Sequence, residues 1–342
     1  MDVLLLRADR LSCSTMNARA IALLLSLVLA CFASLLLALY AGSIDIGWQA
    51  IISSFYAEEV SMPQRLVQEL RLPRALGAFI TGGLLALAGA LLQVLLRNPL
   101  ADPYVLGVSG GAAVAALLAI LAGASGLVIS GSAFVGALCS MLLVFGIAHG
   151  QGSWTPTRLL LTGIVLAAGW GAMISFLLAI SPDQTLRSML FWLMGDLAYV
   201  QSTTTGFIVL GLGLLLALSI ARSLNILTLG ELQAASLGIE TQRLRILVYL
   251  LASMLTAMAV TMAGSVGFVG LVVPHLIRMM GFSDNRILLP AATLFGGSLL
   301  ILADTLARTL IAPQQLPVGV ISAAIGVPLF LFLLYRGQVQ RL

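Results

Sequence analysis

Charge in this chain is segregated rather than dispersed. Long apolar stretches alternate with short polar ones along all 342 residues. That alternation leaves little room for any fold but a polytopic, all-α membrane protein. A hydrocarbon core of about 30 Å takes roughly 20 helical residues per crossing. On that measure the pattern predicts spans over 20–41, 73–96, 105–123, 127–148, 159–180, 203–222, 244–263, 268–281, 288–311 and 317–335, the eighth being short. Ten spans take up about 200 residues, which fits a chain that is 60% hydrophobic and 9% charged. A soluble domain carries about 25% charged residues, so neither a soluble globular fold nor a disordered chain is compatible with this balance.

The polar segments set the orientation. With the N-terminus inside, the inner segments hold Arg7, Arg10, Arg19, Arg97, Arg158, Arg222, Arg243, Arg245, Arg278, Arg286, Arg336 and Arg341. The outer segments hold Arg65, Arg71, Arg74, Arg187 and Arg308. Twelve against five predicts that both termini lie inside. The even span count is part of that result, because removing one span mixes the two sets. The first span, Arg-flanked and containing Val28-Leu29-Ala30-Cys31, has some features of a cleavable leader, but its apolar run of about 20 residues is longer than a signal-peptide core. The longest polar segments, 42–72 outside and 223–243 inside, cannot bury a core of their own. The expectation is one membrane domain over 1–342, with 1–19 as a cytoplasmic N-terminus.

The chemistry available to the chain is narrow. All 17 basic side chains are Arg. Without Lys there is no Walker A loop and no Schiff-base chemistry. His149 and His275 fall in separate segments, and Cys13, Cys31 and Cys139 are far apart. Neither a metal centre nor a disulfide framework is indicated. No carboxylate pair or Ser–His constellation lies within the spans, so no catalytic residue and no resident cofactor is expected. An ion-coupled secondary transporter would show buried ionisable groups. Few are present: Asp304 and Arg308, spaced to pair at i, i+4, and His275 beside Pro274. Uphill transport by this chain would then draw on a separate energy-supplying subunit.

Small residues are abundant within the spans, among them Gly82, Gly83, Gly89, Gly110, Gly111, Gly163, Gly169, Gly171, Gly296 and Gly297. They let helix backbones approach closely in lipid; a subset lining a pathway or marking hinges is the alternative. Pro274, Pro290, Pro317 and Pro328 predict interrupted helices near the C-terminus.

Several segments, taken in order, carry a resemblance. They are Arg71-Leu72-Pro73-Arg74, Gly89-Ala90-Leu91-Leu92-Gln93, Arg97-Asn98-Pro99-Leu100-Ala101-Asp102-Pro103, and Leu106-Gly107-Val108-Ser109-Gly110-Gly111-Ala112. Phe191-Trp192-Leu193-Met194-Gly195, Leu227-Thr228-Leu229-Gly230-Glu231 and Leu237-Gly238 follow. The last are Gly267-Phe268-Val269-Gly270-Leu271-Val272-Val273-Pro274-His275, Leu302-Ala303-Asp304, Leu316-Pro317-Val318-Gly319 and Gly326-Val327-Pro328. Over about residues 65–335 the chain resembles the permease subunits of ABC importers for vitamin B12, haem and iron–siderophore complexes. The resemblance implies a type II importer permease fold with ten spans. It implies a homodimer with one pathway at its interface, two ATPase subunits inside that use ATP and Mg, and a periplasmic substrate-binding protein outside. It also implies two pseudo-symmetric halves, spans two to five and seven to ten. The equal Gly-to-Arg spacing from Gly89 to Arg97 and from Gly270 to Arg278 is a faint trace of these. The implied activity is import of an iron chelate, haem or ferric siderophore, across the bacterial inner membrane. Cobalamin is the alternative cargo, and an ion-coupled secondary transporter is the alternative of another class.

The same resemblance assigns roles. Leu229 to Gly238 reads as a short helix outside the membrane, with Gly at both ends and Glu231 in its first turn. As the coupling helix it would present Gly230, Glu231, Gln233, Ala234, Ser236, Leu237 and Gly238 to an ATPase; the plain alternative is an amphipathic loop helix. Outer arginines run against the charge bias and call for partners. Arg71, Arg74 and Arg308 would receive acidic groups of the binding protein, or else anchor lipid headgroups or pair locally. Within 181–199, Arg187, Phe191, Trp192 and Met194 would border the pathway, the aromatics forming either an apolar wall or an interface belt. Arg187 would neutralise a cargo carboxylate or cap the outer loop.

Overall fold

A computed structural model of the chain describes residues 2–42, 44, 46–54, 61–148, 155–198, 200 and 203–339. Asp45, Glu58, Glu59, His149, Tyr199 and the side chains of Arg7, Arg10, Cys13, Arg336 and Arg341 lie outside the described residues. Among the described residues there is no strand.

The chain opens with α1 (Asp2–Tyr40), α2 (Trp48–Ser53) and α3 (Met62–Arg65), which runs through a π-helical turn (Leu66–Arg71) into α4 (Leu72–Leu95). A 3-10 turn (Pro103–Leu106) leads to α5 (Val108–Leu121), α6 (Gly126–Ala148), α7 (Pro156–Ile180) and α8 (Asp183–Met194). The second half holds α9 (Thr203–Ser219), α10 (Ala221–Leu229), α11 (Glu231–Ser236), α12 (Thr241–Ala263), α13 (Val269–Met279), α14 (Asn285–Thr309) and α15 (Val318–Val339).

Each predicted span has its helix. Six are long and apolar enough to cross a bilayer, α9 and α10 make a seventh that is bent by 57°, and α5, α13 and Val318–Phe332 are shorter apolar helices. The helices of the predicted spans make one all-α bundle. The short helices depart from the predicted spans in an informative way. At 1.5 Å per residue, α5 and α13 rise only about 21 and 16 Å, less than the hydrocarbon thickness. The 3-10 turn Pro103–Leu106 precedes α5, and an irregular segment over 264–268 precedes α13. These segments are buried in protein, where irregular backbone at membrane depth is tolerated. Pro103 packs on Gly270, and Val266 N–H donates to the Tyr104 hydroxyl at 2.9 Å. These contacts bring the turn before α5 against the start of α13 and the segment leading into it.

The core forms around α4, whose sequence is apolar or small on every face. A helix hydrophobic all round must be surrounded, and α4 packs on α9, α12, α13 and α14. Glycine sets the spacing. A Cβ on Gly82 would stand 2.1 Å from the Gly296 carbonyl oxygen, and one on Gly89 would stand 1.9 Å from that of Gly270. Gln93 donates to Leu271 O at 3.0 Å, and Arg278 donates to the Gln93 side chain. The Gly-to-Arg spacing shared by 89–97 and 270–278 is therefore no mark of equivalent positions. Gly89 lies on span two and Gly270 on span eight, and the two segments touch.

Candidate functional site

At one end of the bundle the C-termini of α1 and α14 converge on the N-terminus of α4. Asp304, 1% exposed, is the hub. Arg74 Nε donates to its two carboxylate oxygens at 3.0 and 3.1 Å, and Arg74 Nη2 lies 2.9 Å from Oδ1. Arg308 Nε donates to Oδ2 at 3.1 Å, the i, i+4 pair that the spacing predicted. Two guanidiniums share one buried carboxylate, with Asp196 4.0 Å from Arg74 and the Gln315 amide oxygen accepting from Arg74 at 2.7 Å. Arg71 is buried beside them. It donates to the carbonyls of Leu39 and Tyr40 at 2.7 and 2.8 Å and to that of Ile44, and so fastens the end of α1 to α4. The three arginines line one cleft with Glu69, Leu197 and Gln315. Local pairing, one of the readings open to the sequence, is realised for Arg308 and extended to Arg74. The Arg74–Asp304 contact joins residues 230 apart, and spacing could not reveal it.

The predicted pathway segment is α8. Arg187 is exposed and lies 5.6 Å from the Phe191 ring centroid, a cation–π contact that occupies the guanidinium. Met194 is exposed and Phe191 half-buried. Trp192 is half-buried and packs against the cluster that holds Met189, and its carbonyl stands against the position a Cβ of Gly264 would take. The end of α8 is also bound to α15, because Val318 N–H donates to Gly195 O at 3.0 Å.

Near the start of α14 lies the six-residue helix α11. Gly230 (φ +133°) and Gly238 (φ +80°) hold backbone conformations that a side chain would strain, so α11 turns sharply out of α10 and back into α12. Leu229 and Leu237 are 63% exposed and Leu232 is 89% exposed. Gln233, Ser236 and Gly238 are exposed as well. Ala234 is fully buried, so its side chain cannot be presented outward. Leu232, absent from the predicted contacts, is the most exposed large apolar side chain in the segment, and an apolar residue in a loop expected to be polar was the signal for it. Glu231 is half-turned toward the bundle, 2.5 Å from Nη2 of the buried Arg245 on α12. On α10, Asn225 donates to Asp284 at 2.7 Å and accepts from the backbone and side-chain nitrogens of Asn285 at 2.9 and 2.7 Å. Burial pushes the Asp284 carboxyl upward, but the bonds from Arg286 N–H and Asn225 outweigh it and hold the group below the usual carboxylate range. His275 is half-buried and edge-on to Phe330, 6.4 Å between centroids. Among the described residues no three His, Cys, Asp or Glu side chains are grouped to hold a metal ion.

The profile of the FecCD transport family matches residues 27–336. The chain belongs to the FecCD transport family. It is 42% identical over 286 residues to the hemin transport system permease protein HmuU of Yersinia pestis, covering 80% of this chain and 84% of that one. It is 39% identical over 302 residues to the cobalamin import system permease protein BtuC of Halobacterium salinarum, covering 86% and 81%. Among solved structures, an inward-facing metal-chelate type ABC transporter superposes with a TM-score of 0.81 at 33% identity, covering 92% of this chain and 99% of that chain.

Proposed function

We propose that this FecCD-family permease forms the membrane pathway of an ATP-driven importer for an iron chelate, haem or a ferric siderophore. The observation that carries the reading is α11, a short helix beyond the spans with Leu232 89% exposed and a glycine of positive φ at each end. It is a rigid apolar projection of the kind that docks into a groove on a cytoplasmic ATPase. ATP and Mg are bound there and not by this chain. Two copies of the permease enclose the pathway between them, and each pairs with one ATPase. A binding protein docks over the cleft of Arg71, Arg74 and Arg308, with charged and polar contacts at its rim fixing the orientation.

Both termini lie in the cytoplasm and the membrane is the bacterial inner membrane, a reading supported by the Arg distribution. The mechanism needs no deep cargo site. Only a ligand that favours one conformation shifts the balance, and here those ligands are the loaded binding protein and nucleotide. α7, α8 and α15 open and close the path. Cobalamin is the second reading, supported by the closely similar identities to hemin and cobalamin permeases.

Uptake into proteoliposomes holding the permease and its ATPase tests the reading, with haem, a ferric siderophore and cobalamin compared. ATP-dependent uptake of one cargo is expected. Uptake that ignores ATP and follows a proton gradient would instead make the protein a secondary carrier.

A further inference from the structure

Besides the packing of Ala234 into the core, two polar links hold α11 to the bundle, one through the preceding α10 and one from α11 itself. On its N-terminal side, Asn225 clasps Asp284 and Asn285 at the start of α14. In its first turn, Glu231 meets Arg245 on α12. Arg245 is 5% exposed and sits four residues into a 23-residue helix that packs on α4. Its Nε is buried without a hydrogen-bond partner. The strong contact of this guanidinium is therefore through one edge, to a carboxylate that is itself 45% exposed. A buried cation with a single anionic partner is costly to leave unpaired, so α11 cannot leave this position without dragging α12 or breaking the pair.

We infer that Arg245 is a positioning residue for coupling, and that Glu231 serves as its internal partner rather than as a contact to the ATPase. The inference rests on α11 being the ATPase-docking helix. Movement imposed on α11 reaches α12 through the Glu231–Arg245 pair, and the apolar docking surface is left to Leu232 and its exposed neighbours. Charge-assisted bonds hold geometry better than neutral ones, which suits a link that must transmit displacement.

A double-mutant cycle on the complete permease–ATPase complex separates the two roles. The variants are Glu231→Gln, Arg245→Gln, the double mutant, and Arg245→Lys. Each is measured for complex assembly, basal ATP hydrolysis, and cargo moved per ATP. The double mutant, which leaves no unpaired charge, is expected to assemble and to hydrolyse ATP basally within about twofold of wild type, and cargo moved per ATP is expected to fall about tenfold in each single Gln variant, read on the complex that assembles. The double mutant is expected to match the singles rather than multiply them, and Arg245→Lys to recover most of the loss. A merely structural role would lower assembly and leave transport per ATP unchanged. A silent Arg245→Gln beside a defective Glu231→Gln, or multiplicative losses in the double mutant, would overturn the inference. Failure of the wild-type chain to assemble with its ATPase would instead defeat the docking reading itself.

Discussion

α4 and α7 differ by one residue in length, 24 against 25, and both are strongly apolar. In the most apolar window of each, 89% of residues are buried around α4 and 11% around α7. Gly163 of α7 stands against the Val105 backbone, but the later glycines of α7 have surroundings opposite to those of α4. Gly82 and Gly89 stand against backbone atoms of α14 and α13, whereas a Cβ added at Gly169 or Gly171 on α7 would meet nothing within 4 Å. The apolar surface of α7 is left open, with Val165 70% and Leu161 58% exposed. Composition alone makes these helices look interchangeable. Packing makes one the axis of the subunit and leaves the other free for lipid, a second copy or a moving pathway.

The contrast can be broken most sharply at Gly89. Gly89→Val drives a branched side chain into the Gly270 carbonyl, and overpacking of that kind costs about 3 kcal/mol. The expected outcome is loss of monodisperse protein on size-exclusion chromatography in detergent. A well-behaved Gly89→Val protein would show that α4 is not fixed as described.

The lock between α4 and the C-terminal end of α14 is next. Asp304→Asn leaves Arg74 and Arg308, with side chains 10% and 7% exposed, without their shared charge. Removing one partner of a buried pair costs about 3 kcal/mol, and a lower thermal midpoint is expected. Arg187→Ala, on the exposed face of α8, should change the same midpoint little, because surface substitutions fall within about 0.5 kcal/mol.

On the α7 side, Gly169→Leu should also leave stability within about 0.5 kcal/mol, since the new side chain meets open space. ATP-driven uptake should nevertheless fall if that face borders the pathway. Equal losses of stability at Gly89 and Gly169 would erase the comparison. The smallest effect concerns the N-terminal end of α14. The depressed Asp284 carboxyl contributes stability that is complete above its unfolded value and is lost as pH falls through its folded value. Acidification should therefore destabilise wild type slightly more than Asp284→Asn, read as the difference in thermal midpoints from neutral pH downward.

Much of this was legible in the sequence. Hydropathy located ten helices, and the i, i+4 spacing found the Asp304–Arg308 pair. The ordered motifs found the family. Hydropathy counts apolar residues but not where helix stops, so it overran α13 and missed the bend between α9 and α10. Arg74 could not be paired with Asp304, nor Asn225 with Asp284, because such partners are set by helix packing. Ala234 and Leu232 exchanged roles because a six-residue helix shows too little periodicity to tell its faces apart.

The division into a fixed axis and a free face is tested most directly by distances measured on the working complex. Cys13, Cys31 and Cys139 would be replaced and spin labels placed in two sets. One set reports Val165 of α7 across the two copies of the proposed dimer. The other reports Met254 on α12 against Leu302 on α14, two exposed positions on helices packed against α4. The account predicts that ATP binding shifts the Val165 distance and leaves the Met254–Leu302 distribution unchanged. A fixed Val165 distance with a moving Met254–Leu302 pair would contradict it.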